Sequence, residues 1–346
     1  MNHIEHCVPH DITVRDAMRR LDELQPKLLI LTDEKNRLVG TLTDGDVRRF
    51  FLSGGKMDDA AELAVNPAPL YTDTMERARR LYTSNHFFVI PIVNQNREVT
   101  DVFLGPNVQA RPHRQLNVPV VINAGGKGAR LEPYTRVLPK PLIPVGELPI
   151  IELIMRRFGD YGCNAYHVIT NYKKRLLKAY FAENEKHYQI NWYDEERPLG
   201  TGGGLGLLRG KLKETFFFTN CDILLEIDYE KLLAFHRENK NRITMVCAYK
   251  NLTVPYGVIE MGVGGRIISM QEKPELSFLT NTGLYVVEPQ VLDDIEPDKA
   301  IGFPDIIELQ RKWGYAVAAY PVSENDWLDM GQLEELERMK AWLDDR

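Results

Sequence analysis

Between Val118 and Gly146 the chain reads VPVVINAGGKGARLEPYTRVLPKPLIPVG, and these residue types suit the holding of phosphates. An apolar, β-branched run from Val118 to Ile122 reads as a buried strand. Ala124, Gly125, Gly126 and Gly128 then make a turn of small residues. Without Cβ atoms, glycines let backbone N–H groups close around phosphate oxygens. Arg130 and Lys140 lie beyond that turn, where an anion held by it meets them. Lys140 stands between Pro139 and Pro141. Proline fixes φ, so the segment is stiff and its lysine is positioned rather than floppy. A short glycine pattern alone is more often an ordinary strand-to-helix turn. Here the glycines, the arginine and the lysine share one run of fewer than thirty residues.

The elements that must position this run follow it. Ile150 to Gly159 reads as a helix closed by glycine, and Ala165 to Thr170 as a strand. A helix, KKRLLKAYFAEN, and a strand, QINWYDEE, come next. Such alternation predicts a mostly parallel sheet with helices on both faces. Sheets of that kind bind ligands at the carboxyl ends of their strands. PLGTGGGL (198–205) places four glycines between a strand and a helix, which fits close backbone approach around Gly200. Taken alone it reads equally as a glycine-rich helix entry. TFFFTNCDILLEID (215–228) reads as a buried strand that ends on Asp222, a carboxylate placed to hold a hard cation. The plainer alternative makes Asp222 the N-cap of the next helix. In the tail, Leu333, Leu336, Met339 and Leu343 recur at helical spacing, which packing explains.

These stretches resemble the sugar-phosphate nucleotidylyltransferases, a family that includes the mannose-1-phosphate guanylyltransferases. Its signature runs A-G-G-x-G-T-R-L-x-P-x-T, then P-K-P and P-V, and every position is matched except Ala129, which replaces the usual Thr. A hydroxyl there would donate one hydrogen bond of about 1 kcal/mol. The resemblance implies an α/β fold for residues 118–346: a Rossmann-like, mostly parallel, three-layer nucleotidyltransferase domain. PLGTGGGL is similar to the family's P-L-G-T-A-G-x-L, whose backbone lies against the nucleotide base. The family has G-D where this chain has Cys221-Asp222, and its Asp binds Mg²⁺. Tyr256-Gly257-Val258 and Glu272-Lys273-Pro274, flanking a hairpin around Gly262 to Gly265, resemble a further pair of family motifs. In those the Glu bonds sugar hydroxyls, the Lys clamps the sugar phosphate, and the Gly lets the sugar lie against the backbone. A lone E-K-P would be solvated surface. Asn281 and Thr282 open NTGLYVV, similar to the strand that lines the sugar pocket. WLDMG (327–331) matches W-x-D-x-G, which makes Asp329 the second metal-binding carboxylate by resemblance.

The implied reaction is NTP + sugar 1-phosphate → NDP-sugar + pyrophosphate, with Mg²⁺ as cofactor. GTP is the first expectation for the nucleotide, with a hexose or hexosamine 1-phosphate bound for surface glycans. Uridylyl or thymidylyl transfer is the alternative within the fold. A non-catalytic sensor of sugar nucleotides is the rival from another class; such chains usually lose the Arg, a Lys or a metal Asp, and this one retains them all.

The first third, expected to form a separate module over residues 1–110, is duplicated. Residues 17–43 lie over 77–103 without a gap, pairing Leu21 with Leu81, Ile30 with Ile90, Asn36 with Asn96 and Val39 with Val99. Each copy (about 9–54 and 66–110) reads as an amphipathic helix, a strand, a polar turn and a second strand. Two such units usually pack together to bury faces neither buries alone. GTLTDGD resembles the ending of a cystathionine-β-synthase-type (CBS) domain, so a tandem CBS (α+β) module is implied. In that family the Thr and Asp, here Thr43 and Asp46, hold an adenine nucleotide. The second copy has Phe103 and Pro106 at the matching places. The module either binds adenine nucleotide or serves only structure and oligomer contacts, and the residues leave both open. CBS pairs commonly dimerise, so a homo-oligomer is expected. The stretch GPNVQARPHRQLN (105–117) has no periodicity, and the linker is placed at 111–117.

The chain has 346 residues, 44% hydrophobic and 27% charged, enough for two domains and a sizeable core. A net charge of −6 argues against a general partner among nucleic acids or anionic membranes. No run approaches the length of a membrane span, and MNHIEHCVPH lacks a signal pattern. Cys7, Cys163, Cys221 and Cys247 are scattered, which suits a reducing cytoplasm. Cys7 with His3, His6 and His10 could be drawn as a metal cluster, but a frayed terminus is the expected reading.

Overall fold

The computed structural model describes residues 3–85, 89–105, 113–183, 188–331 and 333–344. Residues 111 and 112 of the expected linker lie outside these. By its contacts the chain forms two compact units. One comprises Met1–Arg111, Tyr249–Phe278 and Pro321–Asn325, the other Pro112–Ala248, Leu279–Tyr320 and Asp326–Arg346.

In the first unit, β1 (Cys7–Pro9), β2 (Leu28–Thr32) and β3 (Leu38–Thr43) form one sheet, and β4 (Val89–Val93) pairs antiparallel with β5 (Val99–Leu104). Helix α1 (Val14–Glu23) buries Val14, Ala17 and Leu21, one face at helical spacing, and its N-cap Thr13 accepts from the Asp16 N–H. Helix α2 (Asp44–Leu52) opens with a capping box between Thr43 and Asp46. Helix α3 (Met75–Asn85) is its counterpart in the second copy. The two hairpins meet turn to turn: the Leu38 N–H donates to Arg97 O (2.9 Å) and the Val99 N–H to Asn36 O (2.8 Å). Ile30, Leu38, Val89, Val93, Val99 and Val102 then share one buried cluster. The repeat thus buries its faces copy against copy.

Within the stretch expected to be frayed, Cys7–Pro9 is instead ordered. Cys7–Pro9 pairs parallel with β2, so its backbone groups are satisfied by a sheet edge. His6 Nδ1 lies 2.7 Å from Leu28 O and His10 Nδ1 lies 2.6 Å from Glu62.

The larger sheet draws on β6 (Val120–Ala124), β9 (Ala165–Thr170), β10 (Gln189–Asp194), β11 (Phe216–Asn220), β13 (Ile243–Thr253), β16 (Glu275–Val287) and β17 (Val317–Val322). Between them come the short β7 (Pro144–Val145), β8 (Leu148–Pro149) and β12 (Ile223–Leu225), the ribbon of β14 (Val258–Met261) and β15 (Ile267–Gln271), and finally β18 (Trp327–Asp329). Its order is β10-β9-β6-β11-β16-β13-β17. Strands β10, β9, β6 and β11 are mutually parallel, and β16 runs antiparallel to β11. Such strands are covered on both faces, so they read as unbroken apolar runs, as Phe216, Phe217 and Phe218 do here at 0% exposure. With four strands pointing one way, the residues after Ala124, Thr170, Asp194 and Asn220 share one edge. Among the described residues no helix is long and apolar enough to cross a membrane.

Candidate functional site

At that edge the chain after β6 turns through Gly125, Gly126 and Gly128. Gly128 takes φ +67°, and a Cβ there would meet Thr135 at 2.9 Å and Lys140 at 3.1 Å. Glycine is therefore required for the turn and for its contact with the lysine segment. The Thr135 hydroxyl donates to Gly128 O (3.0 Å), and the Lys173 ammonium caps Thr135 O (3.0 Å), fixing the loop from behind. Ala129 and Arg130 follow on an exposed turn of 3₁₀ helix.

Lys140 and Asp222 form an ion pair, their side chains only 12% and 13% exposed. Burial pulls the Lys140 ammonium down, but its neighbours, Asp222 foremost with Cys221 and Asp329, together outweigh it and the pKa stands above the usual lysine value. Asp222 lies two residues beyond the end of β11, and its backbone O accepts from the Met330 N–H at 2.8 Å. Its neighbour Ile223 pairs with Asp329 in the β12–β18 register. The two carboxylates are thus brought together from distant stretches of chain. Burial first, then the charge of Asp222, pushes the Asp329 carboxyl up, while Lys140 and Arg130 pull it down. Asp329 Oδ1 is buried with no hydrogen-bond partner, and a Cβ at Gly331 would stand 3.1 Å from it. Asp222 does not cap the next helix; Asp228 does, accepting from the Lys231 N–H.

An orphaned carboxylate oxygen beside a second carboxylate fits a hard divalent cation. Among the described residues no group of three or more His, Cys, Asp or Glu is placed to hold a metal. Two carboxylates suit Mg²⁺, which keeps waters and takes substrate phosphates rather than a full protein cage.

The glycine-rich stretch 200–208 lies in the same unit. Gly200 adopts φ +78°, and a Cβ there would sit 2.6 Å from Ile301 O. The N–H groups of Gly202 and Gly203 donate to that same carbonyl, at 3.0 and 3.2 Å. Asn123, in β6, donates to Thr201 O (3.3 Å), joining this turn to the phosphate loop. Gly200→Ala is expected to destabilise the protein by about 1–3 kcal/mol, the range for a non-glycine residue forced to positive φ. A fall in Tm checks it.

Between these loops stands Glu195, which the sequence reading passed over. It is 4% exposed and directly follows β10. Its Oε2 lies 2.8 Å from where a Gly125 Cβ would be, and its Oε1 lies 2.6 Å from that of Gly204. Oε1 is buried without a partner. Burial pushes its carboxyl up to about 7, against a smaller opposing hydrogen bond from the Leu199 backbone. The raised value means that the unfolded chain ionises first as pH rises from about 4.5 to 7. Over that window Glu195 makes stability fall with increasing pH, and Glu195→Gln is expected to remove this slope in Tm against pH. A period-2 reading carried one residue beyond β10 puts Glu195 on the face of buried Tyr193, and that was the available signal.

The remaining predicted positions are placed as follows. In β16, Asn281 is exposed and donates to the Tyr285 hydroxyl (2.6 Å), whereas Thr282 is 2% exposed and its hydroxyl donates to Val246 O (2.9 Å). Gly257, Glu272 and Lys273 lie in the first unit, just outside the open end of the β14–β15 ribbon. There Gly257 abuts Glu272, a Cβ on it falling 3.0 Å from the carboxylate, and Lys273 takes φ +46°. Also in the first unit, the Thr43 hydroxyl and N–H (2.9 Å) both donate to Asp46 Oδ2, and Arg49 pairs with Oδ1.

Comparison with known proteins gives the family. The sequence model of the nucleotidyl transferase family matches residues 119–345, and that of the CBS domain residues 1–53. The mannose-1-phosphate guanylyltransferase of Mycobacterium tuberculosis is 32% identical over 237 residues, covering 65% of this chain and 64% of that protein. The Saccharomyces cerevisiae mannose-1-phosphate guanyltransferase is 29% identical over 61% of each chain. The chain therefore spans less than two thirds of the length of these relatives. Among solved structures, HddC from Yersinia pseudotuberculosis in complex with GMP-PN aligns with a TM-score of 0.52 at 21% identity, over 65% of this chain and 99% of that one. At that identity the likeness speaks for the fold.

Proposed function

The chain belongs to the nucleotidyl transferase family, and from that premise we propose that it transfers a nucleotidyl group from GTP to a sugar 1-phosphate, releasing pyrophosphate. The observation that carries this reading is the gathering of Lys140, Asp222 and Asp329, within the field of Arg130, beside the loop after β6.

The obstacle to the reaction is bringing two polyanions together and neutralising the charge that builds up. A sugar-phosphate oxygen bonds to the α-phosphorus in line, and the bond to the β-phosphate bridging oxygen breaks. The nucleophile is already an anion, so no covalent enzyme intermediate is needed. The N–H groups of the glycine loop and the planar fork of Arg130 take the β- and γ-phosphates. Lys140 meets the α-phosphate, and Lys273 and Glu272 take the sugar phosphate and hydroxyls. Mg²⁺, held by Asp222 and Asp329 when bound, supplies counter-charge to the phosphate oxygens. In exchanging its partner Asp222 for phosphate, Lys140 needs no change of protonation, since its pKa stands above neutral pH.

Glu195 supports guanine. Guanine presents two adjacent donors, N1–H and the N2 amino group, and a carboxylate accepts both. Uracil and thymine offer a single N3–H between two carbonyls, which a carboxylate repels. The names of the relatives from Mycobacterium tuberculosis and Saccharomyces cerevisiae support GTP and mannose 1-phosphate as the first pair to try. For the CBS module, an adenine nucleotide at Thr43 and Asp46 would compete with Arg49 for the carboxylate. A homo-oligomer remains the expectation for such a module.

The test is a pyrophosphate-release screen that crosses four nucleoside triphosphates with hexose and hexosamine 1-phosphates, with and without AMP and ADP. The reading expects GTP to give the fastest release; equal or faster release with UTP or dTTP would replace it with the uridylyl or thymidylyl alternative.

A further inference from the structure

The β14–β15 ribbon presents Gly257, Glu272 and Lys273, yet every residue of its two strands is exposed. A two-stranded ribbon without a packed face is marginal in water, so whatever fixes this one must act at its roots. Those roots are Asn251, near the end of β13, and Ser277, near the start of β16, and the Ser277 hydroxyl donates to Asn251 Oδ1. Above them the Val254 N–H donates to Pro274 O (3.0 Å), next to Lys273.

The first helix of the N-terminal repeat holds both roots. Arg15, only 11% exposed, donates through Nη1 to Asn251 Oδ1 (2.9 Å) and to Ser277 Oγ, and through Nη2 to Asp58 (2.8 Å). One turn on, Arg19 pairs with Glu275. Further contacts join the same neighbourhoods within this unit: the Asn251 N–H donates to Glu324 (3.2 Å), Ser323 and Asn325 donate to Asp22 (2.9 Å each), and Phe51 packs on Tyr249 with ring centroids 4.2 Å apart. A guanidinium has donors enough in one plane to tie two roots and a third anchor at once, which an ammonium lacks.

We propose that Arg15 is a positioning residue for sugar-phosphate binding: it ties both roots of the ribbon to α1 and so fixes the loop that carries Glu272 and Lys273. This rests on the reading that those two side chains receive the sugar phosphate. It gives the N-terminal repeat a part in substrate affinity whether or not that repeat binds a nucleotide.

Two readings of the full-length protein test it. In Arg15→Ala, amide hydrogen exchange across Val258–Gln271 is expected to accelerate about tenfold with exchange in β6 unchanged, the scale of losing hydrogen bonds to a charged group. KM for sugar 1-phosphate is expected to rise about tenfold, while KM for GTP stays within about twofold. Ser277→Ala is expected to act in the same direction, and the double variant to be no worse than Arg15→Ala, because both remove one shared tie. Unchanged ribbon exchange in Arg15→Ala, or a parallel rise in both KM values, overturns the proposal. A wild-type protein inactive with every substrate pair overturns the transferase reading and the sugar-phosphate assignment with it, while the exchange experiment still decides whether Arg15 holds the ribbon.

Discussion

Asp222→Asn is expected to lower turnover by at least about a hundredfold, the size of losing one contact to transition-state charge. The substitution keeps the shape of the side chain and an oxygen that accepts from Lys140, so the fold is expected to survive. What disappears is one of two carboxylates that the Ile223–Asp329 register brings within reach of each other's charge. The remaining one, Asp329, is half-buried with its Oδ1 shut off from solvent and is pushed toward its protonated form, and relief from its neighbour's charge does not replace that neighbour as a ligand. Activity in the variant should therefore demand more Mg²⁺ for half-maximal rate as well as running more slowly. Arg130→Ala is expected to cost a comparable factor without that change in metal requirement, since its planar fork is assigned to phosphate. Steady-state rates across a Mg²⁺ titration separate the two, and near-normal turnover in Asp222→Asn would remove the aspartate from the mechanism.

Glu195→Gln is expected to lower kcat/KM for GTP by roughly 10- to 100-fold, as losing charge-assisted hydrogen bonds of about 1.5–3 kcal/mol does. The glutamine amide offers one acceptor and one donor, so it cannot take both guanine donors. It matches N3–H and a carbonyl of uracil instead, and kcat/KM for UTP should hold or rise. The ratio of the two is the readout, because a merely structural role for Glu195 would lower both alike. With the wild-type carboxyl near 7 when nothing is bound, donors from guanine also favour its ionised form, so GTP should bind more tightly at pH 8 than at pH 6 through this group. That dependence should flatten in the variant. Equal loss with GTP and UTP would return Glu195 to a packing role.

How much of this was readable beforehand depends on how far apart the participants lie. The phosphate turn is local: Gly128 and Lys140 sit within one stretch, and the proline-flanked lysine does lie against the turn. The parallel strands were legible because strands buried on both faces leave long apolar runs, and Asp222 because such a run stops at it. Asp329 could be joined to it only by resemblance, since nothing in the spacing foretells that β18 pairs with β12. Glu195 escaped notice because its surroundings, DEER, look like a solvated strand end, and its burial comes from Gly125 and Gly204 closing on it from two other segments. The order at Cys7–Pro9 escaped the sequence for a related reason: three residues have no pattern of their own, and β2 supplies their partner. The grip of Arg15 on Asn251 and Ser277 was likewise out of reach, as an arginine on the polar face of a short helix looks the same whether it meets water or a distant loop.

The most direct test follows phosphorus. Full-length protein incubated with GTP, mannose 1-phosphate and Mg²⁺, observed by ³¹P NMR, should form pyrophosphate and a sugar nucleotide one for one, and neither product when either substrate is left out. Hydrolysis of GTP that ignores the sugar phosphate, or no pyrophosphate with any sugar 1-phosphate, would contradict the account.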